Sequence, residues 1–166
     1  SLCLAAARQA LERGGVTPGE IGICLVATVT PDFLSPAAAC LLQKELGFPE
    51  DTICFDLNAA CSGFVYALHT AECLLASTPR KYGRVMDFGD RSTCVLFGDG
   101  AGAALVEWGA NYPSLHAVLG CRGNSEVLYV PGVNTAAPPH VHMDGQSVFR
   151  FAVEAVPRCA REVLDR

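Results

Sequence analysis

"DLNAACSGF", residues 56–64, sets Cys61 between a pair of alanines and a Ser-Gly pair, directly after a short apolar run at 52–57. From Gly63 onward Phe64, Ala67, Leu68, Ala71, Leu74 and Leu75 recur at intervals of three and four, which predicts a helix over 62–77. The stretch therefore reads as strand, sharp turn and helix, with Cys61 near the helix N-terminus. Free N–H groups and the helix dipole at such a position favour the thiolate of a group whose ordinary pKa is about 8.5. Ala59, Ala60, Ser62 and Gly63 are small enough to permit the turn and to leave room for a thioester beside backbone donors. The same small residues would also suit close helix-on-strand packing around a core thiol, and spacing alone leaves both readings open.

Upstream, "ICLVATV" at 23–29 is a continuous apolar run with β-branched members, as in a strand buried on both faces. It is expected to lie parallel and adjacent to 52–57. Leu2, Ala5, Ala6 and Leu11 predict a first helix over 2–13, stopped by Gly14-Gly15. Prolines mark 30–36 as a loop, and Pro36 suits the first position of a helix running to Leu46, which Gly47 ends. Downstream, 94–97 and 101–106 read as strands joined by the glycine-rich turn 98–102. No Gly-Lys-Ser/Thr follows, so this is not a phosphate loop, and tight packing is the reading preferred for the glycines. Further strands are expected at 115–119 and 126–130, then an amphipathic helix over 148–164 with Pro157 bending or dividing it. Strands alternating with helices make the class α/β.

Composition narrows the function classes. The 166 residues suit one ordinary domain, about half of them apolar, with a formal charge of -5. Basic residues are scattered, so the chain has no electrostatic footprint for nucleic acid. No apolar run approaches the ~18 to 20 residues of a membrane span, and the first residues lack the charged start and cleavage site of a signal peptide. The expected location is cytoplasmic. Cysteines number nine, an odd count without a C-x-x-C pair, which argues against a zinc ribbon and a disulfide scaffold. Cys3, Cys24, Cys40, Cys54, Cys73, Cys94 and Cys159 lie in apolar stretches and read as core thiols. His140 and His142 would share one face of a strand. With no further ligand placed by sequence, a packed or solvated face is preferred to a metal pair.

Four ordered blocks then carry a resemblance: "TPDFLSPAAACLLQKELG" (30–47), "DLNAACSGFVYAL" (56–68), "MDFGDRSTCVLFGDGAGAALVE" (86–107) and "MDGQSVFRFAVEAVP" (143–157). Together they resemble β-ketoacyl-[acyl-carrier-protein] synthase III, a family of thiolase-like condensing enzymes. The resemblance implies a layered α/β fold, with residues 1–110 a partial N-terminal half carrying the nucleophile. Residues 111–166 would supply connecting strands and the first helix of the C-terminal half. It further implies that Cys61 takes an acyl group from acyl-CoA and condenses it with malonyl-acyl carrier protein, the step that starts fatty-acid synthesis. Arg91 matches the arginine that helps hold the CoA nucleotide, Phe97 an acyl-pocket wall, and Arg150 a basic position near the tunnel mouth where the carrier protein arrives. No cofactor is implied, acyl-CoA being a substrate. The family's homodimer implies that residues 32–35 reach a partner subunit's acyl pocket.

The sequence also departs from that pattern. Condensation in the family uses a histidine in a His-Gln-Ala-Asn-like motif and an asparagine in an Asn-Thr-Ser-like one, and neither motif occurs in these 166 residues. His69, His116, His140 and His142 match no such position, and Asn134-Thr135-Ala136 falls in the wrong block. After the nucleophile helix the family runs into an apolar strand, whereas here 79–85 passes almost directly to "MDFGDR". A missing central strand is therefore expected, with unpaired ladder groups costing ~1 to 3 kcal/mol each. Two other readings remain. One is another CoA-using condensing enzyme of the superfamily, such as a hydroxymethylglutaryl-CoA synthase or a polyketide starter synthase. The other is a catalytically incomplete chain that only binds acyl carrier protein or a partner subunit.

Overall fold

A computed structural model describes residues 2–79, 82–88, 100–132 and 140–165. They divide into two compact units, one holding the described residues up to 88 together with 100–115, the other 116–132 and 140–165. The first unit contains α1 (Leu2–Gly14), β1 (Ile21–Ala27), α2 (Ala38–Leu46), β2 (Ile53–Leu57), α3 (Gly63–Leu75), β3 (Tyr82–Phe88) and β4 (Ala101–Glu107). Its sheet has the order β2-β1-β3-β4. β1 runs parallel to both β2 and β3, and β4 is antiparallel to β3.

β1 is the spine of this unit, since all seven of its residues are buried. On one face Ile23, Leu25 and Ala27 pack with Val85 against Ala67, Ala71 and Leu75 of α3. On the other, Cys24 and Val26 join Cys3, Ala7 and Leu11 of α1 and Ala39 and Leu42 of α2. Strict alternation would put Ile21 with Ile23, yet Ile21 packs on the α1 side. The cause is a register shift between the two residues, where β1 takes an extra step against β3. Fully burying an aliphatic side chain of this kind contributes about 1.5 to 3 kcal/mol, so the residues of this one strand hold both layers of helix in place.

The adjacent parallel pair at 23–29 and 52–57 is thus present as β1 and β2, with Ile23 opposite Ile53 and Ala27 opposite Leu57. The expectation of a missing central strand is corrected. β3 occupies that place, hydrogen-bonded to β1 on one side and β4 on the other. It does not read as a continuous apolar run because Gly83, Arg84 and Asp87 interrupt it. At Gly83 a Cβ would meet Leu75 Cδ1 at 3.1 Å, so that interruption is a packing requirement.

Other boundaries moved for identifiable reasons. α2 begins at Ala38 rather than Pro36, and Gly47 ends it with φ 70° as expected. Of α3, Gly63, Ala67, Ala71 and Leu75 form the buried stripe, while Val65 and Cys73 are exposed. The set of core thiols is smaller than expected: Cys3 and Cys24 are buried, Cys54 and Cys159 half-buried, and Cys40 and Cys73 exposed. On a helix the 3.6-residue period, rather than the apolarity of sequence neighbours, decides which side chains face inward. Cys94 and the strand expected at 94–97 lie outside the described residues.

In the second unit, β5 (Leu128–Tyr129) pairs antiparallel with β6 (His142–Met143) and leads into α4 (Gly145–Leu164). No strand forms at 115–119, and the one expected at 126–130 shortens to β5. Asp144 accepts hydrogen bonds from the N–H groups of Gln146 and Ser147, which starts α4 three residues earlier than the apolar period indicated. His142 stacks on Tyr129 with ring centroids 4.5 Å apart. Among the described residues no helix is long and apolar enough to cross a membrane.

Candidate active site at the strand-to-helix turn

Cys61 stands where β2 gives way to α3, inside a single 3-10 turn at Ala60–Ser62. The turn is sharp because Ala60 takes φ 45°. An L-residue there brings its Cβ against the following carbonyl, at a cost of roughly 1 to 2 kcal/mol, which local contacts must offset. They are present. The Ala60 N–H lies 3.3 Å from Asn58 Oδ1, the Ser62 N–H donates to Ala59 O at 3.1 Å, and the Gly63 N–H donates to Ala60 O. The outcome is an exposed Cys61 thiol at the head of a 13-residue helix.

The turn is fixed against its surroundings at two points. Gly63 is buried, and a Cβ on it would lie 3.0 Å from Ala27 Cβ, so the start of α3 sits flush on the end of β1. This explains one member of the small-residue collar as a packing requirement, alongside whatever room it leaves for chemistry. The second point is Asp56, near the end of β2. Its carboxylate accepts from the N–H groups of Ala38 at 2.7 Å and Ala39 at 2.9 Å. Ala37, the residue before α2, has no side chain able to cap that helix. Asp56 supplies the cap from 18 residues away and ties the loop before α2 to the strand that carries Cys61. In that loop Phe33 is 57% and Leu34 83% exposed.

Sequence reading found Cys61 and its position, but not the part played by Asp56 or Ala60. An Asp on a strand gives no local cue that it caps a distant helix. The left-handed residue is an alanine, where a glycine would have signalled the turn. Of the other expected site residues, Arg91 and Phe97 lie outside the described residues, as does 134–136. Arg150 belongs to α4 in the second unit, exposed, with Nη2 3.5 Å from Gln146 Oε1 one turn earlier.

The fold that carries this turn also occurs in known proteins. The chain superposes on 3-oxoacyl-(acyl carrier protein) synthase III from Pseudomonas aeruginosa PAO1 with a TM-score of 0.86 and 35% identity, covering 99% of this chain and 55% of that one. Against the priming β-ketosynthase of the R1128 polyketide biosynthetic pathway the TM-score is 0.85 at 36% identity, over 96% of this chain and 52% of that one. MvaS in complex with 3-hydroxy-3-methylglutaryl coenzyme A shares the fold at 23% identity, with a TM-score of 0.77 over 98% of this chain and 40% of that one. The fold is therefore the thiolase-like fold of these synthase III structures. Within it, the sequence model for 3-oxoacyl-[acyl-carrier-protein] synthase III matches residues 55–123, which include the Cys61 turn. The chain is similar to that family in sequence and in fold, and it spans about half the length of the solved structures it matches.

Proposed function

We propose that Cys61 is the acyl acceptor of a synthase III-type condensing enzyme, taking an acyl group from acyl-CoA ahead of condensation with malonyl-acyl carrier protein. The observation that carries this reading is the exposed thiol held by the Ala60 turn at the head of α3. In the transfer, the Cys61 thiolate attacks the thioester carbonyl, a new carbon–sulfur bond forms, and the CoA thiolate leaves. Backbone donors at a helix start suit the oxyanion that develops on the carbonyl. Acyl-CoA serves as a substrate here, and the reading calls for no cofactor.

Condensation needs more than this chain's recognised motifs supply. Malonyl decarboxylation builds an enolate, and losing even one placed donor to such an anion costs ~100- to 1000-fold in rate. With neither the histidine nor the asparagine motif in these 166 residues, acylation is the half-reaction assigned to them, and condensation is assigned to the assembled enzyme. Arg91 for the CoA nucleotide, Phe97 for the acyl pocket and Arg150 for the carrier protein keep the roles that resemblance gives them. Self-association through β2 and the loop at 30–36 is part of the same reading. It is supported by β2 being an edge strand of the described sheet and by exposed Phe33 and Leu34 beside it.

One observation favours a binding-only chain instead. Phe149, Val153, Val156 and Leu164 are 59% to 84% exposed along α4, a stripe suited to a partner protein. Incubation with acetyl-CoA followed by peptide mapping separates the two readings. Acetyl on Cys61 supports the acyltransferase, and partner binding without acetylation supports the alternative.

A further inference from the structure

α3 carries a second thiol, one for which acyl transfer has no use. Cys73 is exposed in the last turn of the helix, some 18 Å from Cys61 at about 1.5 Å per residue. One turn back, His69 Nε2 lies 3.8 Å from Cys73 Sγ. On the other side of the ring, Nδ1 is buried with no hydrogen-bond partner and lies 3.6 Å from Glu72 Oε2. Glu72 is not a loose surface carboxylate. Its side chain is 16% exposed, and Oε1 accepts the Leu115 N–H at 2.7 Å. Spacings of three and four residues on one helix thus put thiol, imidazole and carboxylate in sequence. The sheet meets α3 with the apolar side chains of Ile23, Leu25, Ala27 and Val85, and the imidazole lies against the ionisable groups of Glu72 and Cys73.

In the tautomer that carries its proton on Nδ1, towards the Glu72 carboxylate, Nε2 is an acceptor facing the sulfur. Nucleophile, base and orienting acid follow the arrangement of activated-thiol sites. The position on the helix selects the substrate class. The end of a helix presents carbonyl oxygens rather than N–H donors, which gives no support to the oxyanion of an attacked thioester. Attack on a sulfur atom creates no oxyanion and needs no such donor.

We propose that Cys73 is a His69-activated thiol that exchanges with low-molecular-weight disulfides. The Cys73 proton passes to His69 Nε2, and the thiolate attacks one sulfur of the disulfide. A new S–S bond forms as the old one breaks, and the departing thiolate takes the proton from the imidazolium. One disulfide is consumed and one formed, so excess thiol reverses the reaction.

The test uses the Cys61→Ala protein, treated with oxidised glutathione at neutral pH and mapped by mass spectrometry over time. The mixed disulfide should accumulate at Cys73 ahead of Cys40 and Cys121, which are exposed, and reduced glutathione should remove it. His69→Gln should slow Cys73 on the order of 10- to 100-fold, with Cys121 in the same sample unchanged. Glu72→Gln retains an acceptor for the Leu115 N–H and is the second variant. A fall in the ratio of Cys73 to Cys121 rates supports the proposal even if His69→Gln does not fold. Cys73 reacting no faster than Cys121, or keeping its rate in both variants, would overturn it.

Discussion

At Ala60 the backbone holds a conformation that its side chain disfavours, next to Cys61, the proposed acyl acceptor. Strain of this sort persists only where the surroundings over-determine it, and here Asn58, Ala59 and Gly63 do so. Ala60→Gly removes the Cβ clash but adds chain entropy to the unfolded state. A net gain of about 0.5 to 1 kcal/mol in chemical denaturation is expected from those two opposing terms. Ala60→Val should lose about 1 to 3 kcal/mol, since a branched residue fits that region worse. Asp56→Ala removes the side chain that caps α2 and should cost about 1 to 2 kcal/mol in the same assay. Asp56→Asn, which keeps an acceptor, should lose less. Cys61 was legible because strand, small residues and helical period meet in nine consecutive positions. Asp56 and Ala60 were not, because one acts on a residue 18 positions away and the other adopts a glycine's conformation without being one.

At the level of elements, continuous burial was the readable signal and tight packing the hidden one. β1 was visible as an unbroken apolar run because both its faces are covered. β3 was not, because Arg84 and Asp87 break its apolar run and Gly83 makes room for Leu75. The strand expected at 115–119 did not form: of Leu115, His116, Ala117, Val118 and Leu119 only Val118 is a strong strand former, and so short a run constrains backbone pairing weakly. The start of α4 depends on a charge. Hydrogen bonds from the Ser147 side chain and N–H, then the Gln146 N–H, hold the Asp144 carboxyl below the usual aspartate value. A depressed folded-state value means the cap's contribution is fully present above the unfolded aspartate pKa and is lost as pH falls through the lower folded value. Thermal melting followed by helical circular dichroism should therefore lose stability in that acidic window. Asp144→Asn, which still accepts but does not titrate, should remove this part of the pH dependence.

At the scale of the molecule, a chain about half as long as the structures it matches holds the β2 strand, the Cys61 turn and the helix that follows it. The similarity to the family was legible from four ordered sequence blocks, whereas the continuity of the sheet at β3 was not. If the proposed self-association runs through β2 and the loop before α2, charge at its most exposed apolar position should break it. Leu34→Asp should lower the sedimentation coefficient toward that of the monomer while leaving the melting temperature nearly unchanged, because Leu34 is 83% exposed. The central claim is that the Ala60 turn presents Cys61 as an acyl acceptor. Its most direct measurement is intact-protein mass spectrometry after incubation with acetyl-CoA, followed by peptide mapping of wild type and Cys61→Ala. The account predicts a single acetyl group, mapped to Cys61 and absent from the variant. Acetylation that survives Cys61→Ala, or none on a wild-type chain shown to be folded, would contradict it.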